Sequence, residues 1–304
     1  MIEDILTKAE GLAGDLQPWG DYYRLRAKEM EALISMCKMG RAGKILEIGC
    51  GNGFVSAILS QFADEIVATD LSEPDTGTHS IGISKAKALF ERLNVKNARV
   101  VSCSGEKLPF KNRTFDLVFC LYTLEHLKDR GMVMREVRRV LKNGSEAIFI
   151  VPSFAERALY PFVYYSEIAA KTLRLVFMKE GDDKKKSGDN GTAKRAPVSI
   201  WCRFKSSYPH FPMPDPHGEY FDYFRELVGS MPFSWIGLAR KNGLRVKESF
   251  TAMLFPKALT SIFLGGMSLG LYIKTLPLNV KVGKWPFFKY FGQNLCLILE
   301  DENG

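Results

Sequence analysis

The strongest chemical signal in the sequence is a carboxylate, three alternate glycines and a second carboxylate further on. The segment Glu47-Ile48-Gly49-Cys50-Gly51-Asn52-Gly53 ends a short apolar run, and Asp70 ends the next one. A strand that runs into alternate glycines and then into a helix lets backbone N–H groups approach a ligand closely. Phe54 follows Gly53, so the spacing is GxGxG and not the GxGxxG of a dinucleotide site. Glu47 is a second departure from that fingerprint. Asp70 lies near the ~20-residue separation that sets a carboxylate against ribose hydroxyls. Three histidines add candidates for proton transfer. His126 follows Glu125 and reads as a base or as a helix-start residue bonding nearby backbone. His79, in Gly77-Thr78-His79-Ser80-Ile81-Gly82, lies between the turn after Asp70 and a helix and reads as a helix cap or as a structural turn. His217, in Pro216-His217-Gly218-Glu219-Tyr220, reads as a base on a roofing segment or as an exposed loop residue.

These residues need a scaffold, and the periodicity supplies one. Short apolar runs at 44–48, 65–69, 98–102, 115–121 and 146–151 read as strands, with helical stretches at 53–62, 80–93 and 129–141 between them. Runs that are apolar on both faces and alternate with helices imply a parallel sheet covered on both sides. Asn143-Gly144 is expected to stop the last of these helices before the fifth strand. Residues 20–39 read as an N-terminal helix, with Tyr22 and Tyr23 as candidates for closing over a ligand. Beyond Pro152 the alternation stops. Residues 154–178 are aromatic with helical spacing, 180–197 read as a mobile basic loop, and 221–241 are helical again until Asn242-Gly243; two strands follow at 244–250 and 294–300. The chain therefore divides into N-terminal helices (1–40), a ligand-binding core (41–153), a helical insertion or lid (154–242) and a last segment (243–304). That last segment holds two strands around an apolar connection (251–293).

With 304 residues and 46% hydrophobic content, the chain can bury a substantial core. Six cysteines show no CxxC pair and no metal-ligand spacing, which points to free thiols in a reducing compartment. Glu3 and Asp4, with no apolar stretch in the first thirty residues, argue against a secretion signal, so a cytoplasmic protein is expected. A net charge of +8 fits nucleic acid, an anionic membrane or mere solubility. No basic motif interleaved with aromatics reads as a single-strand binder, which disfavours a nucleic-acid partner. The uncharged run Ala258–Ile273 falls short of the ~20 residues of a spanning helix. Lys274, Lys281, Lys284 and Lys289 follow it, with Trp285, Phe287 and Phe288 interleaved. It reads as a buried helical hairpin, or as a surface that meets an anionic membrane face or admits a greasy acceptor. Nothing specifies an oligomeric state.

Residues 44–151 resemble the class I S-adenosylmethionine-dependent methyltransferases of the type-11 domain family. The matching pieces stand in that family's order: Ile45–Gly53, Thr69-Asp70-Leu71-Ser72, Gly105-Glu106-Lys107-Leu108-Pro109-Phe110, Thr114–Val118, Leu124-Glu125-His126-Leu127 and Glu136–Gly144. The resemblance implies an α/β, Rossmann-like, seven-stranded methyltransferase sheet whose last strand is antiparallel, with the insertion as a helical lid. It implies S-adenosyl-L-methionine as cofactor. Glu47, Gly49, Cys50, Gly51 and Gly53 would line its methionine part, Asp70 and Leu71 would hold the ribose, and Ser104-Gly105-Glu106 would run along the adenine. Leu121 and His79 would border it. Relatives usually carry an aspartate where Ser104 stands, so that contact lacks charge assistance.

Methyl transfer from a sulfonium is an in-line displacement in which the protein mainly aligns the reactants and excludes water. A base is needed only where the acceptor must lose a proton, and His126, His217 and Tyr122 are the catalytic candidates. In quinone-pathway O-methyltransferases a similar Glu-His pair, with an upstream glutamate, helps bind a divalent metal. Tyr122 stands at that upstream position here, and no metal is expected. The implied enzyme acts on a small, hydrophobic or lipid-linked acceptor, oxygen being slightly favoured, with peripheral contact at the inner membrane face. The alternatives are a non-catalytic cofactor-binding regulatory or assembly subunit and a nucleic-acid methyltransferase. Base N-methylation is disfavoured because Leu121-Tyr122-Thr123-Leu124 replaces the Asn/Asp-Pro-Pro-Tyr/Phe usual in such enzymes.

Overall fold

A computed structural model describes residues 7, 20–71, 83–177, 214, 216–252, 274, 278, 281–285 and 292–302. Its centre is one seven-stranded sheet of β1 (Ala42–Ile48), β2 (Ala63–Asp70), β3 (Ala98–Ser102), β4 (Phe115–Leu121), β5 (Leu141–Pro152), β6 (Leu244–Ala252) and β7 (Asn294–Asp301). The order across the sheet is β3-β2-β1-β4-β5-β7-β6, and β7 runs antiparallel to both of its neighbours. The remaining pairs are parallel. The expected seven-stranded sheet with an antiparallel last strand is what forms.

Alternation along the strands explains the two layers. Ile45, Phe119 and Ile150 face one side, where α1 (Gly20–Met36), α2 (Phe54–Leu59) and α3 (Ile83–Leu93) cover them. Leu46, Val118 and Phe149, one residue along in each case, face α4 (Arg130–Val140) and α7 (Pro232–Lys241) on the other side. Each fully buried side chain of this size contributes roughly 1.5–3 kcal/mol. In α1 the buried positions Tyr23, Ala27, Met30 and Leu33 recur at helical spacing. In α4 Asp129 is the N-cap, its carboxylate accepting from the Met132 amide at 2.8 Å.

Two expectations need correction. Asn143-Gly144 does not stop α4. The helix ends at Val140, and Leu141 immediately pairs with Phe115. The next pairing, Leu117 with Glu146, is shifted in register, so Asn143 and Gly144 lie in an irregularity within β5. The single helix read over 221–241 is two, α6 (Tyr223–Gly229) and α7. Pro232 is at the first turn of α7 and has no N–H with which to continue α6. Residues 154–177 form α5 (Phe154–Phe177). The basic loop 180–197, the run Ala258–Ile273 and His79 lie outside the described residues. No helix among the described residues is long and apolar enough to cross a membrane.

Candidate functional site

The chain runs from β1 through α2 to β2 on one side, and β4 takes up the other side of β1. That reversal leaves a crevice at the carboxyl ends of the strands. A cavity of about 240 Å³ opens there, with Glu47, Gly49, Cys50, Gly51 and Asn52 on one wall. Hydrogen bonds to the end of β2 and within the loop account for most of its amides. Gly49 and Cys50 both donate to the carbonyl of Thr69, at 2.8 and 2.9 Å, and Gly53 donates to the carbonyl of Cys50 at 2.8 Å. Gly51 donates to Asp70 Oδ2 at 2.7 Å and Phe54 to Asn52 Oδ1 at 3.1 Å. The expectation that these amides are presented to a ligand is therefore corrected, because the chain's own acceptors occupy them. Gly49 has φ +77°, and a Cβ there would lie 2.1 Å from Thr123 Oγ1. No side chain fits at that position.

Two carboxylates flank the loop. Glu47 is 2% exposed and accepts a hydrogen bond from the Ser56 hydroxyl. Burial pushes its pKa up to about 8; the Ser56 bond opposes this and the charge of Asp70 adds to it. Asp70 accepts from Gly51 on one oxygen and from the Leu71 amide on the other at 2.8 Å. Asp70 also lines the cavity. Leu71, Ser104, Gly105 and Leu121 also line the cavity. The described walls do not include Gly53, which caps α2, or Glu106, whose carboxylate accepts from the Asp129 amide at 2.8 Å. Ser104 Oγ accepts from the Glu106 amide at 3.2 Å.

Arg26 is a cavity residue that the sequence did not single out. It projects from α1, pairs with the buried Glu29 at 2.6 Å and lies 5.0 Å from the ring centroid of Tyr122. Its signal is faint: one cation within the buried stripe of an amphipathic helix. Tyr23 is only 4% exposed and packs on Phe54 at 4.6 Å, so its place is the core and not a cover over the cavity. The side chain of Tyr22 lies outside the described residues.

Among the catalytic candidates, Tyr122 lines the cavity with a left-handed φ of 51°. Burial pushes its phenol pKa up, with the charge of Glu29 adding to this, so the hydroxyl stays protonated near neutral pH. His126, in the 3-10 turn Leu124–His126, also lines the cavity. The ring of His217 meets it edge-on with centroids 4.7 Å apart. This meeting follows from how segment 216–220 lies on that turn. The Glu219 amide donates to the Glu125 carbonyl at 2.9 Å, and Gly218, at φ +86°, passes where a Cβ would be 2.4 Å from the same carbonyl. Arg130 donates to the Glu125 and Glu219 carbonyls at 2.9 and 3.1 Å and stacks 4.1 Å from the centroid of Tyr220. Beneath them Glu125 is 2% exposed, its pKa pushed up by burial to about 7 against the pull of Arg157 and Arg130.

Comparison with known proteins agrees with this geometry. The methyltransferase domain family matches residues 46–149. The sterol 4-C-methyltransferase strm-1 of Caenorhabditis elegans is 29% identical over 104 residues, 34% of this chain and 29% of that protein. A ubiquinone biosynthesis O-methyltransferase of Colwellia psychrerythraea is 24% identical over 182 residues, 58% of this chain and 70% of that protein. The chain spans about half the length of the curated relatives it matches. The crystal structure of the cyclase SpnF superposes with a TM-score of 0.50 at 10% identity, covering 91% of this chain and 81% of that one, a likeness of fold. Sheet order, glycine loop and family match converge on residues 46–149 as a class I methyltransferase domain.

Proposed function

We propose that the chain binds S-adenosylmethionine in the cavity at the ends of β1, β2 and β4 and transfers its methyl group to a small, hydrophobic or lipid-linked acceptor, with oxygen favoured. The carrying observation is the polarity of the cavity. A dinucleotide site offers unpaired amides to a pyrophosphate, whereas here the loop amides bond to Thr69, Asp70, Cys50 and Asn52. The wall holds a buried carboxyl, Glu47, that stays largely protonated until a cation faces it. The methionine part of the cofactor carries such cations, an ammonium and a sulfonium.

Bound there, S-adenosylmethionine supplies an electrophilic methyl group, which forms its new bond to the acceptor while the sulfur keeps the electron pair of the old one. Glu47 would ionise against the ammonium, Arg26 would pair the carboxylate, and Asp70 would accept from the ribose hydroxyls. Leu71, Ser104 and Gly105 would bound the adenine. His126 stands at the cavity edge, where it can take the proton of a hydroxyl acceptor. Support for the acceptor class comes from two sides. Two of the curated relatives are named for a sterol and for ubiquinone biosynthesis. Phe221, Phe224 and Phe233, in the stretch of chain that follows the roof segment, are 83, 63 and 64% exposed, and such apolar side chains suit a peripheral lipid contact.

Calorimetric titration with S-adenosylmethionine, S-adenosylhomocysteine and NADH tests the cofactor. The two adenosyl compounds should bind and NADH should not; tight NADH binding sinks the reading. Flotation with liposomes, with and without anionic lipid, tests the membrane contact, and protein left behind in both cases removes it. Once an acceptor is known, wild-type turnover by both His126→Ala and His217→Ala would remove histidine base catalysis.

A further inference from the structure

The geometry points to a divalent-cation site formed by Glu125, His126 and His217, which fastens segment 216–220 over the edge of the cavity. One donor atom from each of these residues lies within 4.8 Å of the other two. Two imidazoles and a carboxylate suit a borderline first-row cation such as Zn²⁺. At bond lengths of ~2.0–2.2 Å the donors of a tetrahedral site stand roughly 3.4 Å apart. Side-chain rotation of little more than ~1 Å per donor closes that gap.

The second observation is the state of Glu125. It is 2% exposed, and no other described residue donates a hydrogen bond to either carboxylate oxygen. Two guanidiniums are near, yet their contacts go elsewhere. Arg130 donates to backbone carbonyls, and Arg157 pairs with Glu226 at 3.3 Å. A buried carboxylate that receives no hydrogen bond from its neighbours is costly, and a bound cation offsets that cost. The backbone around the cluster holds the donors in place: His217 donates its amide to Glu226 Oε2 at 2.9 Å, and Gly218 and Glu219 lie against the Glu125 carbonyl.

The resemblance to quinone-pathway enzymes implies no metal, because Tyr122 stands where they carry the upstream glutamate. In the fold the third donor comes instead from His217, some ninety residues away. With three protein donors the cation keeps an open position. His126 also lines the cavity, so an anionic oxygen of an acceptor could complete the coordination there, and with the cation bound His126 would serve as a ligand and not as the base.

The test uses the full chain, stripped by chelator and titrated calorimetrically with Zn²⁺ and with Mn²⁺ alone. One equivalent of Zn²⁺ per chain is expected. Loss of a supporting contact alone weakens metal sites by ~10–100-fold, so His217→Ala and Glu125→Gln should each weaken binding at least ~10-fold. Circular dichroism melts of the metal-free variants confirm that each is folded, and Co²⁺ absorption reports direct imidazole ligation in the wild type. S-adenosylhomocysteine titrated into the same samples reads the cofactor pocket separately, so failure of one idea is distinguishable from failure of the other. No uptake by the wild-type chain, or uptake equally tight in folded His217→Ala and His126→Ala, overturns the site.

Discussion

Replacing Glu47 with glutamine should raise stability and remove a pH dependence from cofactor binding. Burial holds this carboxyl at about 8 in the fold against an ordinary value of 4.5. The sign follows from linkage: a carboxyl whose pKa is raised on folding costs nothing below its unfolded pKa and progressively more above it, until the folded pKa is passed. Between pH 5 and pH 7 the penalty grows by two pH units at ~1.4 kcal/mol each, or about 3 kcal/mol. Glutamine carries no such penalty. Urea denaturation of ligand-free wild-type and Glu47→Gln chains should therefore show their stabilities diverging by about 3 kcal/mol over that interval, in favour of the variant. Binding gives the reverse signature. If a cationic ligand needs Glu47 ionised, the wild-type affinity for S-adenosylmethionine should improve roughly ninefold from pH 6 to pH 7, the ratio set by a group titrating at about 8. The variant should bind more weakly with a flat profile. Parallel stability curves, or the same slope in both proteins, would refute the assignment of Glu47 to the cation.

Other residues of the cavity give separate tests. Gly49→Ala places a Cβ 2.1 Å from Thr123 Oγ1 at a left-handed φ, so the melt should drop by ~2 kcal/mol or more and S-adenosylhomocysteine binding should be lost. Arg26→Met leaves Glu29, 1% exposed, without its cation and should destabilise by ~3–5 kcal/mol. Adding Glu29→Gln should restore most of that stability. It should not restore the roughly tenfold or greater loss of cofactor affinity that a missing charged hydrogen bond brings. Gly218→Ala drives a Cβ to 2.4 Å from the Glu125 carbonyl. Hydrogen exchange should show the Glu219 amide losing protection, with S-adenosylhomocysteine affinity unchanged.

What was legible in the sequence was whatever repeats or lies close together along the chain. Strands such as 115–121 declare themselves by being apolar on both faces, and Glu47, the glycines and Asp70 by their spacing. Asn143-Gly144 misled because a glycine after a helix reads as a stop signal, whereas pairing of Leu141 with Phe115 had already ended the helix. The fate of the loop amides could not be read either. Their main acceptor is the carbonyl of Thr69, at the end of another strand. Arg26 stayed hidden because one cation on an amphipathic helix is indistinguishable from a solvated one until the helix is docked. The meeting of His126 with His217 depends on Gly218 passing against a backbone carbonyl, which no periodicity encodes.

Those hidden contacts divide the site into two electrostatic regimes. On the side of β1 and β2 the chain accepts the cost of burying a carboxyl, Glu47, whose hydroxyl partner Ser56 does not hold its pKa in the ordinary range. A cationic ligand offsets that cost, and an anionic one would enlarge it. On the roof side two carboxylates, Glu125 and Glu226, face two guanidiniums, Arg130 and Arg157, yet the Glu125 oxygens still lack a hydrogen-bond donor. Near balance with two unmet acceptor oxygens on Glu125 suits the proposed cation site. The buried Glu47 thus favours a cationic ligand at the proposed cofactor site, and residues 216–226 lie outside the family match at 46–149.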